Sequence, residues 1–220
     1  MPLPTPILSA EPFPAFASGL EETAASDPRD WAQAAAFALA RAVGEDAVRP
    51  VVFIATRDWR RERGELSARG LQGLGVPPSR LVTVRAERET EALWAMEEVL
   101  KSGAAAGAVA TVARPSFVAT RRLDFAARSG GGAGVLLRLG ETGDLSTARL
   151  RWQVSALPSA PHPWDARAPG AMRLRALLTR RRDGPLGAWE LEQDDETHRL
   201  RLAAGLADHG LVQGRRAHAA

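Results

Sequence analysis

PVVFIATRDWRRERGELSARGLQGLGVPPSRLVTVRA (50–86) is the stretch from which the architecture of this chain can be read. PVVFIAT (50–56) is continuous, apolar and rich in β-branched and aromatic residues. That is the composition of a strand buried on both faces of a parallel sheet. A helix is expected over Arg60 to Gly73. GVPPSR (75–80) then turns the chain, and RLVTVRA (80–86) supplies a second strand.

Downstream the same rhythm repeats. ETEALWAMEEVLKSG (89–103) reads as a helix, with Leu93, Met96, Val99 and Leu100 as its apolar stripe, acids in the first turn and Lys101 before a closing glycine. GAVATVA (107–113) is a third strand. Residues 115–129 form a helix carrying Phe117, Leu123 and Phe125, and AGVLLRL (133–139) is a fourth strand. Upstream, Trp31, Ala35, Leu39 and Ala42 mark a helix from Pro28 to Val43 that stops at Gly44. Strands alternating with helices of this length predict right-handed crossovers and a mostly parallel sheet flanked by helices.

After Gly140 the pattern changes. RLRWQVSA (149–156) alternates, with Leu150, Trp152 and Val154 on one face and Arg149, Arg151 and Gln153 on the other, as in a half-exposed strand. SALPSAPHPWDARAPG (155–170) is a proline-rich connector. Residues 172–193 read as a hairpin around Asp183-Gly184-Pro185, and HRLRLA (198–203) alternates once more. The expected fold class is therefore α/β: a mostly parallel central sheet, finished by antiparallel strands and a C-terminal hairpin. Residues 1–18, with five prolines in the first sixteen positions, form an extended arm that Phe13 and Phe16 could pin to the domain or to a partner. Residues 204–220 form a flexible, basic tail.

Composition narrows the function. Of 220 residues, 45% are hydrophobic and 25% charged, as in a soluble globular protein. The isoelectric point of 10.6 rests on a net charge of only +3. Lys101 is the sole lysine and tyrosine and cysteine are absent, so little titrates between histidine and arginine. Thiolate chemistry and disulfides are excluded, and His162, His198, His209 and His218 lack metal-ligand spacing. Asp194, Asp195, Glu196 and His198 superficially resemble a metal cluster but read better as a solvated turn. The amino terminus lacks a signal-peptide pattern and no apolar run approaches membrane-span length, so a cytoplasmic location is expected.

Over residues 19–203 this order resembles the RecA-like ATPase core, most specifically in VVFIATRDWRRERGELSARGLQGLGVPPSRLVTVRA (51–86). The connector 155–170 falls inside that core. EALWAMEEVLKSG (91–103), TRRLDFAARSGG (120–131), ARLRWQVSALPSAP (148–161) and GAWELEQDDETHRLRL (187–202), in this order, resemble the ImuA family more narrowly. These are RecA-related accessory proteins of the SOS response and of mutagenesis induced by DNA damage. The resemblance implies a part in translesion synthesis and three partners: the inactive Y-family polymerase homologue ImuB, an error-prone C-family polymerase, and RecA.

The catalytic residues of a working ATPase are missing from that likeness. A P-loop needs glycines whose N–H groups wrap phosphate, a lysine to neutralise it and a hydroxyl for magnesium. Here the corresponding place reads EETAASDPRDWAQAA (21–35), without glycine or lysine and with two aspartates. The Walker B-like strand ends in Val112, Ala113 and Arg114, and the position of the catalytic glutamate falls near Arg57. No cofactor, no metal and no catalysis are therefore expected. GETGDLSTA (140–148) lacks the basic and aromatic residues that grip single strands, which speaks against recombinase-type DNA binding.

What remains is surface for partners. Arg180, Arg181 and Arg182 concentrate positive charge at the hairpin, and Trp164 is an aromatic on a loop that could anchor a partner or cap a gap in the core. Resemblance to RecA-like assemblies implies that Arg180 and Arg182 could meet the nucleotide of a neighbouring protomer; the plainer reading is solvated loop charge. Two alternative functions are a cell-division inhibitor resembling SulA and a weak nucleotide- or DNA-binding module.

Overall fold

In the computed structural model, which describes residues 9, 12–72, 76–139, 143–159, 161–162, 164–165, 167–194, 196–197 and 199–203, the apolar run after Pro50 becomes β2 (Val51–Thr56), buried at every position. The remaining elements are β1 (Gly19–Ala25), α1 (Trp31–Val43), α2 (Arg57–Arg63), α3 (Ala68–Gln72), β3 (Leu81–Ala86), α4 (Glu89–Ser102), β4 (Gly107–Val112), α5 (Phe117–Gly130), β5 (Ala133–Arg138), β6 (Leu150–Leu157), β7 (Arg173–Arg181), β8 (Gly187–Gln193) and β9 (Leu200–Leu202). Among the described residues they build one nine-stranded sheet in the order β3-β2-β4-β5-β1-β6-β7-β8-β9. The strands from β3 to β6 pair in parallel, and β6 to β9 pair antiparallel. The expected α/β architecture is thus present, with its parallel part, antiparallel finish and C-terminal hairpin.

Helices cover both faces of the parallel part. One side holds a core of Phe37, Leu39, Phe53, Val109, Leu137, Trp152 and Trp189 beneath α1. On the other side Leu20, Ile54, Met96, Leu123 and Leu136 pack beneath α4 and α5. Close approach is enforced at Gly107, where a Cβ would collide with the carbonyl oxygens of Ala42 in α1 and Ala133 in β5. Phe13 of the arm stacks among Phe37, Trp152 and Trp189 at centroid distances of 5.5–6.4 Å, so it pins the arm to the domain. Such ring pairs contribute about 0.5–1.5 kcal/mol each beyond area burial.

Four features depart from, or were not covered by, the expectations. GLEETAA (19–25), for which no element was expected, is a central strand, β1. The helix expected over Arg60 to Gly73 is two pieces, broken where Gly64 takes a left-handed φ of 77° and its N–H closes onto the Arg60 carbonyl. In β6 the face of Leu150, Trp152 and Val154 is buried and Gln153 is half-buried as expected, but Arg151, expected outside, is buried because Glu22 receives it. Phe117 and Phe125 do not join the stripe of α5 that packs inward; they are 48% and 73% exposed, and Leu123 alone of the three is buried. The tail 204–220 lies outside the described residues.

Candidate functional site

The carboxyl ends of β1, β2, β4 and β5 meet at the edge where open α/β sheets place their ligands. A cleft of about 430 Å³ opens there beside the amino ends of α1 and α2, lined by Ser26, Trp31, Trp59, Arg63, Arg138 and Gln153. Its chemistry is set by charges that the chain supplies to itself.

At the amino end of α1, where a phosphate would profit from free N–H groups, the chain makes a 3-10 turn over Pro28–Asp30 with a capping box. Asp27 Oδ1 accepts from the Arg29 N–H at 2.9 Å, and Asp30 Oδ2 from the Asp27 N–H at 3.2 Å. Asp30 Oδ1 accepts from the Ala156 N–H at 3.1 Å, tying the turn to β6. The backbone bond from Arg29, followed by its guanidinium, holds the Asp27 carboxyl below the ordinary range, so it carries a negative charge. An incoming phosphate meets two carboxylates.

Inside the sheet, consecutive acids of β1 serve opposite faces. On the α1 face, Glu21 takes Arg41 in a bidentate pair, Nε to Oε2 at 2.8 Å and Nη2 to Oε1 at 2.5 Å. Both side chains are almost wholly buried. Glu21 Oε2 also accepts from Trp152 Nε1 at 3.1 Å. Arg41 spends its remaining donors on the carbonyls of Pro14 and Ala15, and Phe16 lies 4.6 Å from its guanidinium carbon. On the other face Glu22 Oε2 accepts from Arg151 Nε at 2.8 Å and Arg138 Nη1 at 3.4 Å. Arg138 also donates to the Ala113 carbonyl and to Asp144, and Arg151 to the Asp144 carbonyl. This second network seals the carboxyl ends of β1, β4 and β5.

The positions that would carry ATPase chemistry hold other groups. Thr56 closes β2 and Thr111 stands one residue before the end of β4, and their buried hydroxyls lie 3.0 Å apart. Arg57 is exposed and faces Glu87 at 3.6 Å. Among the described residues, no group of three or more histidines and acids could hold a metal ion. Asp195 and His198 of the acidic turn lie outside those residues; Asp194 accepts from the Thr197 and Glu196 N–H groups and pairs with Arg201. No described helix is long and apolar enough to cross a membrane.

The hairpin arginines are braced rather than splayed. Arg180 Nη1 donates to the Ser146 carbonyl at 2.9 Å, Arg182 Nη2 to the Thr147 carbonyl at 3.3 Å, and Arg181 lies against Gly184. Trp164 is 90% exposed, so it caps no gap in the core. Its backbone N–H reaches His162 Nδ1 at 3.3 Å, and its ring stacks on no other among the described residues. No described contact joins Trp164 to the arginines. Sequence reading missed Glu21, Glu22, Arg41 and Arg138, and the sole signal was an acidic pair inside an otherwise apolar-flanked segment.

No family model matches the chain. It is similar to the curated Protein ImuA of Caulobacter vibrioides, in strains NA1000 and CB 15 alike, at 38% identity over 167 residues. That match covers 70% of this chain and 68% of the relative. Among solved structures, SulA from Pseudomonas aeruginosa matches with a TM-score of 0.44 and 22% identity, over 55% of this chain and 98% of that one.

Proposed function

Because the chain belongs to the ImuA family, whose part is in damage-induced mutagenesis, we propose that it acts there as a non-catalytic, RecA-like adaptor. It links an ImuB-type inactive Y-family polymerase and an error-prone C-family polymerase, and it contacts RecA. It does so in the cytoplasm, without nucleotide hydrolysis.

The observation that carries the non-catalytic part is the carboxyl edge of the sheet. The amino end of α1 is filled by Asp27 and Asp30, and Arg138 is committed to Glu22 and Asp144. A nucleotide triphosphate brings negative charge and needs donors and a metal-holding acid; this edge offers carboxylates to the phosphates and already-paired guanidinia. What the fold leaves for use is surface, including Arg180, Arg181, Arg182 and Trp164.

The test is co-purification of the chain with ImuB, the C-family polymerase and RecA, for the parent and for the triple change Arg180→Ala, Arg181→Ala and Arg182→Ala. A stable complex weakened by the triple change supports an adaptor that uses the hairpin. A complex indifferent to it keeps the adaptor and moves the contact elsewhere. Association with none of the three, or hydrolysis of ATP above a heat-denatured control, removes the reading.

A further inference from the structure

A second cleft, of about 340 Å³, lies away from the carboxyl edge, between the carboxyl half of α5, the entry to β1 at Ser18, the start of β6 and the end of β7. Four guanidinium side chains line it, those of Arg128, Arg149, Arg181 and Arg182, against the carboxyls of Asp124 and Asp183. Asp124 is already spent: it is buried, accepts from the Leu20 N–H at 3.2 Å and pairs with Arg128. Among the described residues Arg149 and Arg181 have no carboxylate within 4.0 Å. Four guanidinia against two carboxyls leave net positive charge facing an open cleft.

α5 continues this surface. Its exposed face presents Phe117, Arg121, Phe125 and Arg128, spaced by four, four and three residues, which a helix stacks along one side over about 16 Å. Both rings stand in solvent, and Arg121 has no acidic partner among the described residues. The two exposed aromatics share one helix face with Arg121 between them. An acidic peptide would match the arginines. Flat rings alternating with guanidinia, however, match a ligand that alternates flat apolar faces with single negative charges, as bases and phosphates do along a single strand.

We propose that this face is a binding surface for single-stranded nucleic acid, with phosphates held by Arg149, Arg181 and Arg121 and bases stacked on Phe117 and Phe125. Contact is made outside the sheet, not through loops in the core, and it stands independently of the adaptor reading. Affinity is electrostatic in large part and falls steeply with salt.

The experiment is fluorescence anisotropy of a labelled oligo-dT strand titrated with the full chain over a series of salt concentrations. Each phosphate contact on a single strand contributes about 0.7 to the slope of log affinity against log salt. Arg149→Ala with Arg181→Ala should lower that slope by about 1.4, and Arg121→Ala, on an exposed side chain, by about 0.7. Phe125→Ala should weaken binding about tenfold with the slope unchanged. Arg61→Ala, exposed on α2, should change nothing. An unchanged slope in both arginine variants overturns the proposal, as does the absence of oligo-dT binding at low salt. Polyglutamate or pyrophosphate occupying the cleft where oligo-dT does not compete would also overturn it, in favour of a protein-docking or small-phosphate site. The adaptor reading fails by a different result, the lack of a protein complex, so the two failures are separable.

Discussion

Changing Glu21 to Gln removes one charge and almost no volume from the centre of the sheet. Arg41 then keeps two backbone carbonyls and the rings of Phe13, Phe16 and Trp152, but no carboxylate among the described residues. Its side chain is 1% exposed, so water cannot replace the lost partner. Breaking a buried pair by removing one member costs about 3–5 kcal/mol. For a chain of this size that lowers the melting temperature by roughly 10 °C or more. The double change Glu21→Leu with Arg41→Met removes both charges and keeps the volume, and should recover part of the loss, the remainder coming from Trp152 Nε1–H and the Pro14 and Ala15 carbonyls that lose their partners. The assay is reversible urea unfolding followed by tryptophan fluorescence, since Trp152 donates to Glu21 itself. Limited proteolysis should show the arm cleaved faster in Glu21→Gln, because Arg41 also holds the carbonyls of Pro14 and Ala15. A loss below about 1 kcal/mol in the single variant would refute the claim that the pair is held in a water-free site.

The bonds from the Arg49 guanidinium, then from the Val48 and Arg49 N–H groups, depress the Asp46 carboxyl from its ordinary 3.8 to about 2. The folded value lies below the unfolded one, so its stabilisation is complete above pH 3.8 and disappears as pH falls toward 2. Asp46→Asn should therefore cost about 1 kcal/mol at neutral pH after solvent screening and flatten the acid limb of a stability–pH profile. Gly107→Ala should destabilise by about 1–3 kcal/mol in urea unfolding, because its Cβ meets two backbone carbonyls that cannot rotate away. Trp164→Ala should leave stability within about 0.5 kcal/mol of the parent, so any weakening of a partner complex in that variant reports contact directly.

The parallel half of the fold was legible because its signals are local. Apolar runs at 51–56, 107–112 and 133–138 and the capped helices between them each carry their own pattern. β1 was not legible, because Glu21 and Glu22 become tolerable in a buried strand only through Arg41, Arg138 and Arg151, which lie 20 to 129 residues away. The same long-range pairing hid the burial of Arg151, whose place in an alternating strand reads as solvent-facing. Gly64 broke a helix that neighbouring residues would have continued. At the hairpin, Arg180, Arg181 and Arg182 were visible as charge, whereas the cleft that Arg149 and Arg128 share with two of them exists only after β6, β7 and α5 meet.

Because the two acids of β1 are adjacent, the strand also checks its own alignment as the sheet assembles. Sliding it one position toward its amino end would bring Glu22 to Arg41 and leave Thr23 facing Arg138 and Arg151. Sliding it the other way would bring Glu21 to those arginines and set Leu20 against Arg41. Either error takes a carboxylate away from a buried guanidinium, at a cost of several kcal/mol. A purely apolar strand would penalise the same one-residue error far less where both faces are buried. The pair Glu21-Glu22 thus acts as a two-sided key that admits β1 to the middle of the sheet in a single alignment, between β5 and β6.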